Sequence, residues 1–434
     1  MAPSPPQLGE VVRIRATYTQ EFFEGLGQRS FPQPYLAEVA ALPVELAKLV
    51  LEQATIAPPA GEDATARHAR ERQLKRYGFL LEHVHRVAEF LESSEVLAIP
   101  ASIAVFLSET VQRLIPDGKL VLRADTEFNY SFDPLAESIN EPLEASGLGV
   151  SLPTPLGLFK FPAACRDDSL LHAILAHEVG HFLDQFHGLS QAVFDRAGDA
   201  VLRTVESELH SALNSNDAQV DAALQLLFEW VGELVSDLSG VHLLGPAFAL
   251  AMREFFEFEN DPTQGESHPP TLMRLDLIHM ELQHLKWIEQ VMEPRGIWPD
   301  VPALAPPVIL TGSSSEERII EAVHQQVMKY LDACREIVRE LFHGQSFSGS
   351  AFTPVESALA DLLTNHLPPA ESVRSDGSSI GYSPECIINA CWIFWATGAD
   401  GWKAAGYSDY DKRALLGRLM LKALEITRIR TRLG

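Results

Sequence analysis

Residues 170–188 read LLHAILAHEVGHFLDQFHG, and inside them His177-Glu178-Val179-Gly180-His181 spells HExxH. No other stretch restricts the fold as much, because this spacing acquires chemical meaning only on a helix. Leu171, Ile174, Leu175, Phe182 and Phe186 supply the apolar side of such a helix. Asp167 or Asp168 is expected to cap its start, and Gly188 to end it. On that helix the two imidazoles project with about 40° between them. They can then share one divalent ion at bond lengths of ~2.0–2.1 Å. Glu178, turned about 100° further, addresses a metal-bound water instead of the metal. Metal-assisted hydrolysis requires that arrangement. The alternative is an amphipathic helix that happens to carry two surface histidines.

A catalytic zinc takes three protein ligands and keeps one position open. Downstream, residues 229–240 read EWVGELVSDLSG, where Glu233 and Asp237 stand four apart. On a helix one carboxylate can bind the metal while the other accepts a hydrogen bond from the free nitrogen of a histidine ligand. Leu234, Val235 and Leu238 argue against a merely solvated acidic face. The ELVSDLSG segment resembles the ExxSDxxG segment of thermolysin-like enzymes and the ExxxD segment of gluzincins in general. That resemblance implies Glu233 as third ligand and Asp237 as its supporting partner. Glu229, one turn earlier, is the rival without an SDxxG context. His187 has the spacing of a metzincin third histidine, but the chain reversal that class needs would fall on Asp184, not on a glycine. On an unbroken helix His187 lies roughly 15 Å along the axis from His177, out of reach of the metal.

Residues 267–274, SHPPTLMR, resemble the [ST]HPPxxxR motif of the HtpX-like and CAAX-prenyl-protease family. The order HExxH, ExxxD, HPPxxxR is also that family's order. The resemblance spans roughly 119–292 and implies a zincin-like metallopeptidase core, one Zn²⁺ per chain, and a peptide or protein substrate. The prolines hold His268 in an extended segment before the next helix. There it can donate to the oxyanion of the reaction, with a plain helix-initiating turn as the alternative. Arg274 is expected to buttress this loop through a carboxylate such as Asp237. Membrane members of the family carry spanning helices; here no apolar run approaches the ~18 residues a span requires.

The fold class expected is α+β and mostly helical, with a small sheet before the active-site helix. Short strands are expected at 119–123, 127–132, 149–152 and 157–161, with Gly157–Phe161 either a sheet edge that could accept an extended peptide or an internal strand. Helices are expected at 44–54, 66–93, 191–214, 218–244, 271–292, 316–342, 354–366, 384–397 and 410–431. Residues 57–63 and 368–383 read as loops and 1–9 as a Pro-rich disordered start. The domain reading is an N-terminal helical region (1–110), the metallopeptidase core (111–293), a Pro/Gly/Ser-rich linker (294–315) and a C-terminal helical region (316–434).

A net charge of −25, from 34 basic and 59 acidic side chains, disfavours phosphate backbones and anionic lipid as partners. With 46% hydrophobic and 21% charged residues the chain is globular, not disordered. Four cysteines, including Cys386 and Cys391 five apart, make no bridge framework or zinc knuckle, and with no export signal at the start the expected compartment is the cytoplasm. His172 falls outside the metal face, His83 and His85 read as structural, and Trp392, Phe394 and Trp395 read as a core patch. The leading function is a zinc metalloendopeptidase with Glu178 as general base. Two others share its ligands: a binding or regulatory protein on a zincin scaffold, and a zinc hydrolase of a non-peptide amide.

Overall fold

The computed structural model describes residues 5–33, 35–56, 63–92, 94, 99–214, 216–257, 268–297, 314–373, 379–397, 402 and 406–433. They form two compact units, Met1–Arg166 and Asp167–Gly434. The division falls inside the 111–293 segment, and most of the 294–315 linker lies outside the described residues.

In the first unit α1 (Pro5–Gly27), α2 (Leu36–Thr55), α3 (Ala64–Val84), α4 (Arg86–Glu92) and α5 (Ala101–Leu114) precede β1 (Lys119–Asp125), β2 (Ser131–Asp133), α6 (Leu135–Ser146) and β3 (Leu156–Pro162). Apolar residues at helical spacing, among them Val12, Ala16, Phe23, Val39, Val50 and Leu81, meet Val121 of β1, Ile139 of α6 and Leu158 of β3 in one core. α1 begins at Pro5, within the stretch expected to be disordered; a proline in a first helical turn forfeits no hydrogen bond.

The sheet order is β1-β3-β2, with β1 parallel and β2 antiparallel to β3. Gly157–Phe161 is therefore the internal strand. Its backbone is already paired, Leu122 with Phe159 on one side and Phe132 with Phe159 on the other, so no peptide can add there. Gly149–Leu152 is not a strand. Leu152 donates to Asn140 Oδ1 at 2.6 Å and accepts from Asn140 Nδ2 at 3.0 Å, so a side chain of α6 occupies the groups a sheet would use. The expected 127–132 strand shrinks to Ser131–Asp133, because Asp125 Oδ1 accepts from the Thr126 N–H at 2.7 Å and folds that end into a turn.

The second unit contains α7 (Leu175–His187), α8 (Leu189–Ala197), α9 (Asp199–Ala212), α10 (Asp217–Leu244), α11 (Pro246–Phe256), α12 (Thr271–His284), α13 (Ser315–Val327), α14 (Leu331–Leu341), α15 (Gly349–Thr364), the hairpin β4 (Glu371–Val373) and β5 (Ser379–Gly381), α16 (Pro384–Ala396) and α17 (Asp409–Leu433). The hairpin lies in the segment expected as a loop. α10 is the centre of this unit. It starts at Asn216, whose side chain accepts from the Gln219 N–H, and every residue from Trp230 to Leu244 is buried. Helices α7, α8, α11, α12, α13 and α14 pack around it. Four expected helices break, the 66–93 helix at His85 between α3 and α4 and three in this unit. Gly198, at φ 81°, separates α8 from α9. Lys286, at φ 64°, ends the 271–292 helix, which resumes as a π turn over Ile288–Met292. Met328–Tyr330 separates α13 from α14.

All four cysteines are buried and unbridged, and no described helix is long and apolar enough to cross a membrane.

Candidate metal centre

α7 and α10 cross where Gly180 meets Ser236. A Cβ at position 180 would stand 2.5 Å from Ser236 Cα and 2.7 Å from the Ser236 carbonyl oxygen. Only glycine permits that approach. One turn along, Asp184 lies beside Gly232, so the two helices run in opposite directions. His177 and His181 thereby face the turn of α10 that carries Glu233 and Asp237.

A 3₁₀ turn, Leu171–Ile174, leads into α7, and the expected caps do not act. Asp168 instead accepts from Arg413 Nε at 2.8 Å. The C-terminal end is as the sequence indicates: Gly188 adopts φ 65°. Asp184 accepts from both the N–H and the hydroxyl of Ser190, at 2.6 and 2.5 Å, and so braces the start of α8. His187 is consequently the last residue of an unbroken α7, exposed and edge-on to Phe186.

The Nε2 atoms of His177 and His181 are 3.0 Å apart, with the rings nearly perpendicular. One oxygen of Glu233 faces each: Oε2 is 3.2 Å from His177 Nε2, and Oε1 is 3.2 Å from His181 Nε2. Among the described residues these three form the group able to hold a metal ion. Donors bonded at ~2.0–2.1 Å to a tetrahedral ion stand about 3.3 Å from one another. The observed spacings are close to that. Glu233 Oε2 is buried without a hydrogen-bond partner, which an ion between the three side chains would supply. Glu229 is exposed, accepts from Gln225, and is not in the group; His172 is buried in the 3₁₀ turn, also outside it.

Behind these three side chains, His177 Nδ1 lies 2.9 Å from Asp237 Oδ1, near enough to donate although the alignment falls short of a straight hydrogen bond. Arg274, from the first turn of α12, donates to both Asp237 oxygens, Nε to Oδ2 at 2.7 Å and Nη2 to Oδ1 at 2.9 Å. The same Nη2 is 3.4 Å from Glu233 Oε2. The Phe256 ring at the end of α11 covers the guanidinium at 4.9 Å. That contact is not legible in the sequence beyond an aromatic pair, Phe255-Phe256, at the end of an apolar run. His268 lies outside this buried layer, its side chain 54% exposed and its Nε2 3.6 Å from Glu233 Oε1. The adjoining Ser267 is outside the described residues.

Burial alone would keep the His177 ring neutral, yet Glu233 and Asp237 push it up to about 10. Burial likewise favours neutral carboxyls, but His177, His181 and Arg274 hold Glu233 well below the usual range. Against the same burial, Arg274 and His177 hold Asp237 down. A pocket of two ionised carboxylates and two imidazoles thus draws positive charge to itself, as a cation site must. Glu178, one residue from His177 and buried, differs: burial dominates and raises its pKa.

No protein-family model, curated protein or solved structure matches the chain.

Proposed function

We propose that this chain is a zinc-dependent metalloendopeptidase of the gluzincin type, similar in its motifs to the HtpX-like and CAAX-prenyl-protease family. The observation that carries the reading is the meeting of His177, His181 and Glu233, backed by Asp237, with buried Glu178 on the same helix as the two imidazoles. A structural zinc would be closed by four Cys or His ligands; three ligands of the His₂Glu kind leave a position for chemistry.

When bound, zinc supplies Lewis acidity toward a water and the scissile carbonyl. Glu178 takes the proton lost by the attacking water and passes it to the leaving amine. Its raised pKa makes it the better proton acceptor of the local carboxylates. His268, at the exposed side of Glu233, donates to the oxyanion that develops on the carbonyl. Asp237 fixes the His177 ring, and Arg274 fixes Asp237. The compartment proposed is the cytoplasm, a reading supported by four cysteines that are buried and unbridged.

Glu178→Gln tests the reading. The variant should retain one zinc per chain and lose hydrolysis of casein or a peptide library. Undiminished hydrolysis by the zinc-loaded variant removes Glu178 as the base. Zinc-loaded wild type that cleaves no peptide favours the scaffold reading.

A further inference from the structure

A second buried polar cluster lies two helical turns beyond Arg274. Glu281 of α12 is wholly buried. Its Oε1 faces His242 Nε2 at 3.2 Å and accepts from Arg339 Nε at 2.8 Å. Its Oε2 accepts from Arg335 Nε at 3.2 Å and Arg339 Nη2 at 2.7 Å. His242 Nδ1 lies 2.7 Å from Ser346 Oγ. The outline is that of a Ser-His-Glu triad, but it is not built to react. The backbone N–H groups of Gln345, Ser346 and Phe347 are all committed to carbonyls, so none of these can receive an oxyanion. Two guanidiniums already occupy both oxygens of the one carboxylate.

What the cluster does is join helices. α10 carries Glu233, Asp237 and His242, while α12 carries Arg274 and Glu281. Asp237–Arg274 and His242–Glu281 are two rungs between the same two helices, and Arg335 and Arg339 tie the second rung to α14. Apolar packing already holds α12 in place through Leu277, Ile278 and Leu282, all buried. A buried ionic cluster adds little net stability over an apolar one of the same shape, so its distinctive effect is to define register.

We infer that Glu281, held by His242, Arg335 and Arg339, is a positioning residue that sets α12 so that Arg274 reaches Asp237 and Glu233. This rests on the metal site proposed above. α14, for which the sequence offers no role, then serves as the outer support of that site.

The test is zinc affinity by chelator competition, read beside thermal unfolding and the visible spectrum of the Co²⁺-loaded protein. Glu281→Gln combined with Arg335→Met and Arg339→Met removes every charge together and keeps an acceptor for His242. It should unfold near the wild-type temperature, bind zinc about tenfold or more weakly and show an altered Co²⁺ spectrum. Arg339→Lys, which keeps charge and loses the fork, should shift affinity in the same direction by a smaller factor. Wild-type zinc affinity and Co²⁺ spectrum in both variants overturn the positioning role and leave a stability role only. Wild type that holds no zinc overturns the proposed function itself, and this inference with it.

Discussion

Gly180→Ala is the smallest change that should disable the metal centre without touching a ligand. The new methyl would stand 2.5 Å from Ser236 Cα and 2.7 Å from its carbonyl oxygen. Carbon contacts are comfortable at about 3.5–4.0 Å, so α7 and α10 must part by roughly 1 Å. Both obstructing atoms are backbone, and neither helix can relieve the clash by a rotamer change. Overpacking of this kind costs about 1–3 kcal/mol, and here the upper end applies. The larger effect is on the ligands. His177 and His181 move with α7 and Glu233 with α10, so the two 3.2 Å spacings would open to about 4 Å. One ion cannot then bond all three. Zinc affinity should fall by about 100-fold or more, measured by chelator competition. Gly188→Ala is the control: φ is 65° but a Cβ there meets nothing, so it should cost about 1 kcal/mol and leave zinc binding alone. A folded Gly180→Ala protein with wild-type zinc affinity would refute the claim that this crossing sets the site.

Three further outcomes are expected. Glu233→Ala should abolish stoichiometric zinc, read by elemental analysis, whereas Glu229→Ala should leave it intact; the reverse ranking reassigns the third ligand. Arg274→Lys retains charge but loses the two-pronged grip on Asp237, and should cost about 1–3 kcal/mol in denaturant unfolding with a clear loss of metal affinity. The third concerns acid stability. Burial would raise Glu281, but the hydrogen bonds from His242 and Arg339 outweigh it and hold the carboxyl at about 2. A depressed folded pKa gives stability that is complete above the unfolded value of about 4.5 and is lost as pH falls toward 2. Unfolding curves across that interval should be flatter for Glu281→Gln; an identical slope would show that Glu281 does not contribute.

The parts legible in the sequence were those whose signals are local. α7 ends at Gly188 and α10 starts within a residue of its expected position, because a left-handed glycine and an asparagine cap act on their own neighbours. The preference for Glu233 over Glu229 comes from motif resemblance and agrees with which side chains converge, whereas helical spacing alone sets His187 aside. The HPPxxxR resemblance points to Arg274 as a buttress through some carboxylate, and Asp237 is the one it grips. What escaped depended on partners distant in the chain. Leu152 looks like a strand residue until Asn140 takes its backbone groups. Gly157–Phe161 could be read as an edge or an interior strand, and only the pairing with β1 and β2 decides. Glu281 gives no sign in the sequence that Arg335 and Arg339, more than fifty residues later, will surround it.

α10 holds the carboxylate proposed to bind zinc, the carboxylate behind it, the histidine of the second cluster and fifteen consecutive buried positions on one uninterrupted rod. On that proposal no fragment of this unit can keep the ion while that rod is loose, so occupancy and cooperative folding are linked. A strong chelator should therefore act as a denaturant of this unit, lowering its melting temperature in proportion to the logarithm of free zinc.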